Sequence, residues 1–250
     1  MKRFIAILLS SIITLTVAAQ RPPADQVKLR GGELTIQPIM HASLVLAYHQ
    51  MNIYVDPTGG GSAYKGMAAP DVIIITDIHG DHFDLKTIDS INTKNAVLVV
   101  PKAVADKLPA TMNKQKIVVL NNGETTKQQG VSIKAIPMYN LPEEAESRHP
   151  KGRGNGYVLT IADKNIYISG DTEDIPEMRA LTNIDIAFVC MNLPYTMDVT
   201  QASQGVLAFK PAIVYPYHHR GQDINTFKSL VNAGNASIDV RLREWYGGAK

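Results

Sequence analysis

The chain reads as an α/β protein in which two mixed β-sheets pack face to face and carry helices on their outer sides. Short apolar or alternating runs, punctuated by Asn, Gly and Pro, recur along most of its length. Helical periodicity appears between some of these runs but not between all of them, and a doubly wound parallel sheet would need more regular alternation of strand and helix. The length, 250 residues, suits one well-cored domain.

Residues 1–19 stand apart from that domain. Lys2-Arg3 is a short basic region, Phe4 to Val17 is apolar, and Val17-Ala18-Ala19 supplies small residues ahead of a cut at Gln20. This is the pattern of a secretory signal peptide, too short and too poorly flanked to remain as a stable membrane anchor. The expected mature protein is therefore a single domain, residues 20–250, exported to the periplasm or secreted.

Gln20 to Gln26, with two prolines, reads as a flexible leading segment. Strand-like runs follow at Glu33–Ile39, Ser43–Tyr48, Asn52–Val55, Val72–Ile75, Ala96–Val100 and Lys116–Leu120. A second set comes at Val131–Pro137, Tyr157–Ile161, Asn165–Ser169, Ile184–Cys190 and Ile213–Pro216. Helical spacing of apolar residues marks Leu85–Ile91, Ala103–Leu108, Ile175–Leu181, Ala202–Phe209 and Ile224–Val231. Gly59-Gly60-Gly61 lacks the Lys-Ser/Thr of a phosphate-binding loop and no helical pattern follows it, so it is expected to be a mobile loop near the rim of a site.

Composition narrows the partners. Without Lys2 and Arg3 the formal charge falls from +2 to zero, and a neutral chain with few charge runs lacks the clustered Lys and Arg that nucleic acid requires. Cys190 is the sole cysteine, which excludes an intramolecular disulfide. A buried core thiol is its simplest role, with a thiolate ligand as the alternative.

Chemistry concentrates where the apolar run Val72–Ile75 stops. Within six residues the chain offers Asp77, His79, Asp81 and His82, with Gly80 allowing a sharp turn between them. Imidazole nitrogens and carboxylate oxygens gathered at a strand end form the donor set of a divalent cation. Two further strands end in ligand-type residues: Asn165–Ser169 runs into Gly170-Asp171-Thr172, and Ile213–Tyr217 runs into His218-His219. Three such ends imply a site assembled at one rim of a sheet.

In this order of motifs the chain resembles the metallo-β-lactamase superfamily of hydrolases, whose usual signature is HxHxDH, a distant His, a Gly-Asp-Thr-like Asp and a final His. Asp77-Ile-His79-Gly-Asp81-His82, Gly170-Asp171-Thr172 and Pro216-Tyr-His218 carry the likeness. Met40-His41-Ala-Ser and Val55-Asp56-Pro57 are similar to the branch that holds ascorbate-phosphate lactonase and N-acylphosphatidylethanolamine phospholipase D. The resemblance implies a four-layer αββα sandwich and one or two divalent ions, Zn²⁺ or Mn²⁺. It also implies Asp81, His82, Asp171 and His218 as ligands, with Asp81 doubling as a proton acceptor.

The other half of the pattern departs from the family. Asp77 stands where the first histidine is usual, either as a ligand that favours harder cations or as a hydrogen-bond acceptor for a ligating imidazole. Asn140 stands near the place of the third histidine, with His149 close enough in sequence to fill the gap. His41 is expected near the site, His49 in solvent, and His219 at the rim or surface. Lys151 and Arg153 are candidate holders of a phosphate or carboxylate group, and Tyr195 a candidate donor to an oxyanion. With these residues the resemblance implies water activated by metal, attacking a lactone, ester or phosphodiester of a small, anionic substrate, the Lys151–Arg153 loop supplying the cations. The alternative is a metal-binding or ligand-sensing protein without turnover. Asp77 and Asn140 do not fit a β-lactam-cleaving enzyme.

Overall fold

The computed structural model describes residues 21–114 and 116–246; the expected signal peptide lies outside them. Each sheet has seven strands. Sheet one runs in chain order through β1 (Asp25–Leu29), β2 (Gly32–Met40), β3 (Ser43–Tyr48), β4 (Met51–Val55), β5 (Val72–Ile74), β6 (Val97–Val100) and β7 (Lys116–Val119). Sheet two runs through β8 (Thr125–Gln128), β9 (Val131–Met138), β10 (Gly154–Ile161), β11 (Lys164–Ile168), β12 (Ile186–Cys190), β13 (Ile213–Tyr217) and β14 (Asp239–Val240). Each opens as an antiparallel meander and finishes in parallel strands, from β4 to β7 and from β11 to β14. Both sheets are mixed, as the sequence predicts.

Alternation sorts the side chains between layers. In β5, Val72 and Ile74 face the core between the sheets, whereas Ile73 and the following Ile75 join an outer cluster with Leu98 and Val100. A strand buried on both faces must be apolar throughout, which is why these runs are unbroken. Helices α1 (Leu85–Ser90) and α2 (Lys102–Ala105) cover the outer cluster through Ile88 and Val104. On sheet two lie α3 (Pro176–Arg179), α4 (Val199–Phe209) and α5 (Ile224–Gly234), with Phe209 edge-on to Tyr167 of β11. Asp84, Asp198 and Asp223 cap the starts of α1, α4 and α5 by accepting from backbone N–H groups.

Three strands escaped sequence reading. β1 begins at Asp25, inside the expected leading segment, and β8 and β14 are short and lack an apolar stripe. The Gly59–Gly61 stretch, where no helical pattern is expected to follow, leads into a 3₁₀ turn, Gly61–Tyr64, and Gly60 N donates to Thr87 Oγ1 of α1.

A polar seam joins the two sheets beside β5. Asn155 N donates to Thr76 O at 2.9 Å, and the buried Tyr157 hydroxyl donates to Ile75 O at 3.0 Å. Asn155 Nδ2 donates to Leu120 O and its Oδ1 accepts from Asn122. Gly154 makes this approach possible, since a Cβ there would stand 2.8 Å from Thr76 O. Tyr157→Phe keeps the ring and strands the Ile75 carbonyl, so urea denaturation is expected to show a loss of about 1–3 kcal/mol. A variant as stable as the parent would show that the seam does not hold the sheets together.

Candidate metal centre

Side chains meet at the rim where the parallel strands of both sheets end. Asp56 follows β4, and Thr76 to His82 follow β5. Asn140 follows β9, Asp171 follows β11, Asn192 follows β12 and His218 follows β13. His41 joins from the β2–β3 turn. Parallel strands ending together aim several loops at one point, which a sequence pattern alone cannot arrange.

Asp171 stands at the middle. His82 Nε2 and His149 Nε2 lie 3.3 and 3.2 Å from its Oδ2, and His218 Nε2 lies 3.3 Å from its Oδ1. These three nitrogens and Asp171 Oδ1 are buried and make no well-aligned hydrogen bond. On one side Asp77, His79 and His149 bring ligand atoms within 4.8 Å of one another; on the other, His82, Asp171 and His218 do so, as do His41, Asp81 and His218. Buried acceptors left without partners cost about 1–3 kcal/mol each. Four carboxylates beside neutral imidazoles would also leave unbalanced negative charge in a poorly solvated place. A divalent cation answers both demands, so the residues fit one.

The supporting contacts aim the imidazoles. Asp56, fully buried, accepts from Thr76 N at 2.7 Å and Thr76 Oγ1 at 2.6 Å, and meets His82 Nδ1 at 2.8 Å. With Nδ1 held there, Nε2 of His82 is left for the centre. Asn140 does not replace a histidine as ligand. Its Oδ1 accepts from His149 N at 2.8 Å and lies 3.1 Å from His149 Nδ1, so it turns Nε2 of His149 inward. His41 Nε2 lies 3.0 Å from Asp81 Oδ2, and its Nδ1 lies 2.8 Å from the Tyr246 hydroxyl, which itself accepts from Arg220 N. That hydroxyl is thus free to donate to Nδ1, leaving Nε2–H to donate to Asp81.

Burial opposes ionisation of Asp81 and Asp171, but the His218 imidazole 3.6 Å from Asp81 and the hydrogen bond to Asp81 from His41, and the charges of His218 and His82 facing Asp171, hold both well below the usual carboxylate range. Burial also disfavours charge on Asp77, yet His79, His82 and Arg153 hold it down to about 2. His41 is shifted down by burial, only partly offset by Asp81. Burial also opposes charge on His82, but Asp171 and Asp56 push its pKa well up. Protons and a cation therefore compete for the same nitrogens. Backbone strain clusters here as well: His41, Asp56, His218 and Arg220 all have positive φ, a conformation non-glycine residues adopt at a cost.

The structure brings Asp77, His79, Asp81, His82, His149, Asp171, His218 and His41 together, and corrects other expectations. Lys151 is drawn away from the centre by Glu143 and Glu177, 3.3 and 3.0 Å off. Arg153 lies against Asp77 at 3.3 Å. Neither offers a free cation to a ligand. His219 is buried behind Tyr246, not exposed, and burial pulls its pKa down to about 4. His49 is exposed, as expected. Cys190 is a buried thiol donating to Thr172 O, and burial pushes its pKa up to about 12, against a ligand role. Tyr195 lines the mouth of the cleft with Arg148, Asn192 and Arg220. Arg220 and Tyr246 were not anticipated, since an isolated arginine or tyrosine in a loop gives no signal in sequence.

Residues 35–218 match the Beta-lactamase superfamily domain. The chain belongs to this superfamily. A metal-dependent hydrolase of Thermoplasma acidophilum is 31% identical over 187 residues, 70% of this chain and 78% of that one. Among solved structures, a candidate metal-dependent hydrolase from Parabacteroides distasonis is 40% identical, with TM-score 0.80 over 89% of this chain and 99% of that one. A metallo hydrolase from Ignicoccus hospitalis, 22% identical with TM-score 0.70 over 86% of this chain and 96% of that one, shares the fold. This member of the superfamily takes its place among metal-dependent hydrolases.

Replacing Asp56 by Asn leaves one carbonyl oxygen where Asp56 now accepts through two, so either His82 Nδ1 or Thr76 N must face the amide NH2. Metal affinity in a chelator-competition titration is expected to fall about 10–100-fold while circular dichroism stays native. Unchanged affinity would mean that His82 is oriented by something else.

Proposed function

We propose that this chain hydrolyses a lactone, ester or phosphodiester of a small substrate, with two divalent cations sharing Asp171. The observation that carries the reading is the convergence of the unpartnered, buried Nε2 atoms of His82, His149 and His218 on that one carboxylate. Asp77, His79 and His149 would hold one ion, Asp81, His82 and His218 the other, and the mixed nitrogen and oxygen donors suit Zn²⁺ or Mn²⁺. When bound, such ions lower the pKa of water toward neutrality and polarise the electrophile.

The chain's own groups do the rest. Asp81 lies with its carboxylate partly open to the cleft, where it can take a proton, and His41 fixes its orientation by donating Nε2–H to Oδ2. Tyr195, at the mouth, can donate to oxygen as negative charge grows there. The enclosed part of the cleft is about 80 Å³, room for a reacting group and not for a bulky scaffold. A larger groove of about 830 Å³, lined by Thr35, Gln37, Val45 and Met67, crosses the outer face of sheet one and includes none of the metal-ligating groups.

The same reading has the chain working outside the cytoplasm. Residues 1–19 carry the signal-peptide pattern, and no helix among the described residues is long and apolar enough to cross a membrane. Mass measurement of natively expressed protein should place its N-terminus at or near Gln20. Retention of Met1 in the soluble cytoplasmic fraction would refute export.

The ligand assignment is tested on chelator-stripped protein. Zn²⁺ or Mn²⁺ at about 100 times its dissociation constant should add about 2.7 kcal/mol of stability, read as a raised melting temperature. His218→Ala and His82→Ala should lower metal stoichiometry and abolish turnover of chromogenic esters, lactones and phosphodiesters. Full metal content with full activity in either variant would overturn the assignment.

A further inference from the structure

Two arginines face the mouth of the cleft, Arg148 on the loop that carries His149 and Arg220 on the turn after His218. Both are exposed, and among the described residues neither has a carboxylate within ion-pair distance. This sets them apart from Lys151, Arg153, Arg179, Arg241 and Arg243, which are all paired with acids. An exposed arginine usually wanders in solvent, but these two are placed. The Arg148 guanidinium lies over the Tyr195 ring, 5.0 Å from its centre. The Arg220 backbone is held at φ 26° with its N–H on the Tyr246 hydroxyl.

The same cleft is lined by an unsatisfied amide. Asn192 is 2% exposed and lines the cleft, and its Oδ1 is buried without a hydrogen-bond partner. Its backbone is fixed: Asn192 N donates to Thr196 Oγ1, and Asn192 O accepts from Tyr195 N and Thr196 N. Asn140 Nδ2 donates to Tyr195 O, tying this turn to the His149 loop. A buried carbonyl oxygen that lines the cleft and accepts nothing calls for a donor on the ligand, such as a hydroxyl or an N–H.

From these positions we infer that Arg148 and Arg220 form a specificity site for a substrate that carries an anionic group, such as a carboxylate, away from the bond that is cut, with Asn192 Oδ1 accepting from an O–H or N–H of the same substrate. This rests on the metal-dependent reading above, because the Asp81 and Asp171 carboxylates on the cleft floor repel an anion until cations offset them. Arg148 and Arg220 line the same cleft as His79, Asp81, His149 and Asp171, so a substrate whose reacting group sits at those residues has both guanidinium groups beside it. Guanidinium forks match carboxylate oxygens in pairs, and Asn192 Oδ1 is left to accept from a donor elsewhere on the substrate.

The test compares a matched pair of esters on the metal-loaded mature protein: mono-p-nitrophenyl glutarate, which carries a free carboxylate, and neutral p-nitrophenyl butyrate. Wild type should favour the anionic ester at least tenfold in kcat/KM, and Arg148→Gln/Arg220→Gln should bring that ratio close to one. A second arm, calorimetric titration with glutarate and with neutral glutaramide, needs no turnover. Wild type should bind glutarate, and the double variant should bind it at least tenfold more weakly. If neither ester is cleaved, the ester part of the hydrolase reading fails and the titration alone decides the anion site. Equal glutarate affinity in wild type and double variant would show the carboxylate resting on the metal alone, and would overturn the proposal. So would an absence of glutarate binding to wild type, or an ester preference that survives both substitutions.

Discussion

Asp171 is a buried carboxylate that both halves of the centre share, and the constraint it imposes explains most of what surrounds it. A charge taken out of water needs opposite charge and hydrogen-bond donors within a few ångströms. Three imidazoles from three loops answer that need, and none of them points there unaided. Asp56 fixes His82, Asn140 fixes His149, and His218 follows β13 in a left-handed conformation. Each supporting contact settles which nitrogen of a ring faces inward. Without that choice the same histidines would offer protons where lone pairs are required.

The precision needed comes from the sheets. His82, Asp171 and His218 are held by strands buried on both faces, whose apolar side chains fill the space between the sheets and beneath the helices. The seam of Asn122, Asn155 and Tyr157 then sets one sheet against the other beside the loop that carries Thr76 to His82. Gly170 enters at φ 61°, with Met138 so close that a Cβ would collide, and delivers Asp171 directly from the end of β11. Rigid strands fix the ligand positions, whereas the arginines at the mouth ride on loops. That division allows the chemistry to be held still while the recognised group varies.

The departure at Asp77 is also legible in these terms. A carboxylate in place of an imidazole adds a negative charge to an already acidic cluster, and Arg153 lies within ion-pair distance of it, as do His79 and His149. Arg153 therefore serves the centre by balancing charge, and its guanidinium is not available to a substrate. The anion-binding capacity expected of the Lys151–Arg153 loop passes to Arg148, one residue before His149, and to Arg220.

Sequence by itself determined the strands of the core, the helices, the two-sheet architecture and the ligand types at three strand ends, because apolar periodicity and short motifs are local properties of the chain. It also determined that Asp77 and Asn140 depart from the usual pattern. Tertiary structure decided what those departures mean: Asn140 aims His149, and Arg153 offsets Asp77. It alone brought in Tyr246, more than two hundred residues from His41 in sequence, and turned His219 into the interior. Edge strands β1, β8 and β14 were hidden for a related reason, since they are held by pairing with neighbours and not by an apolar stripe of their own. Hydrogen bonds between distant loops, and the direction in which a ring or guanidinium points, depend on where the folded sheets place them, and no local pattern encodes that.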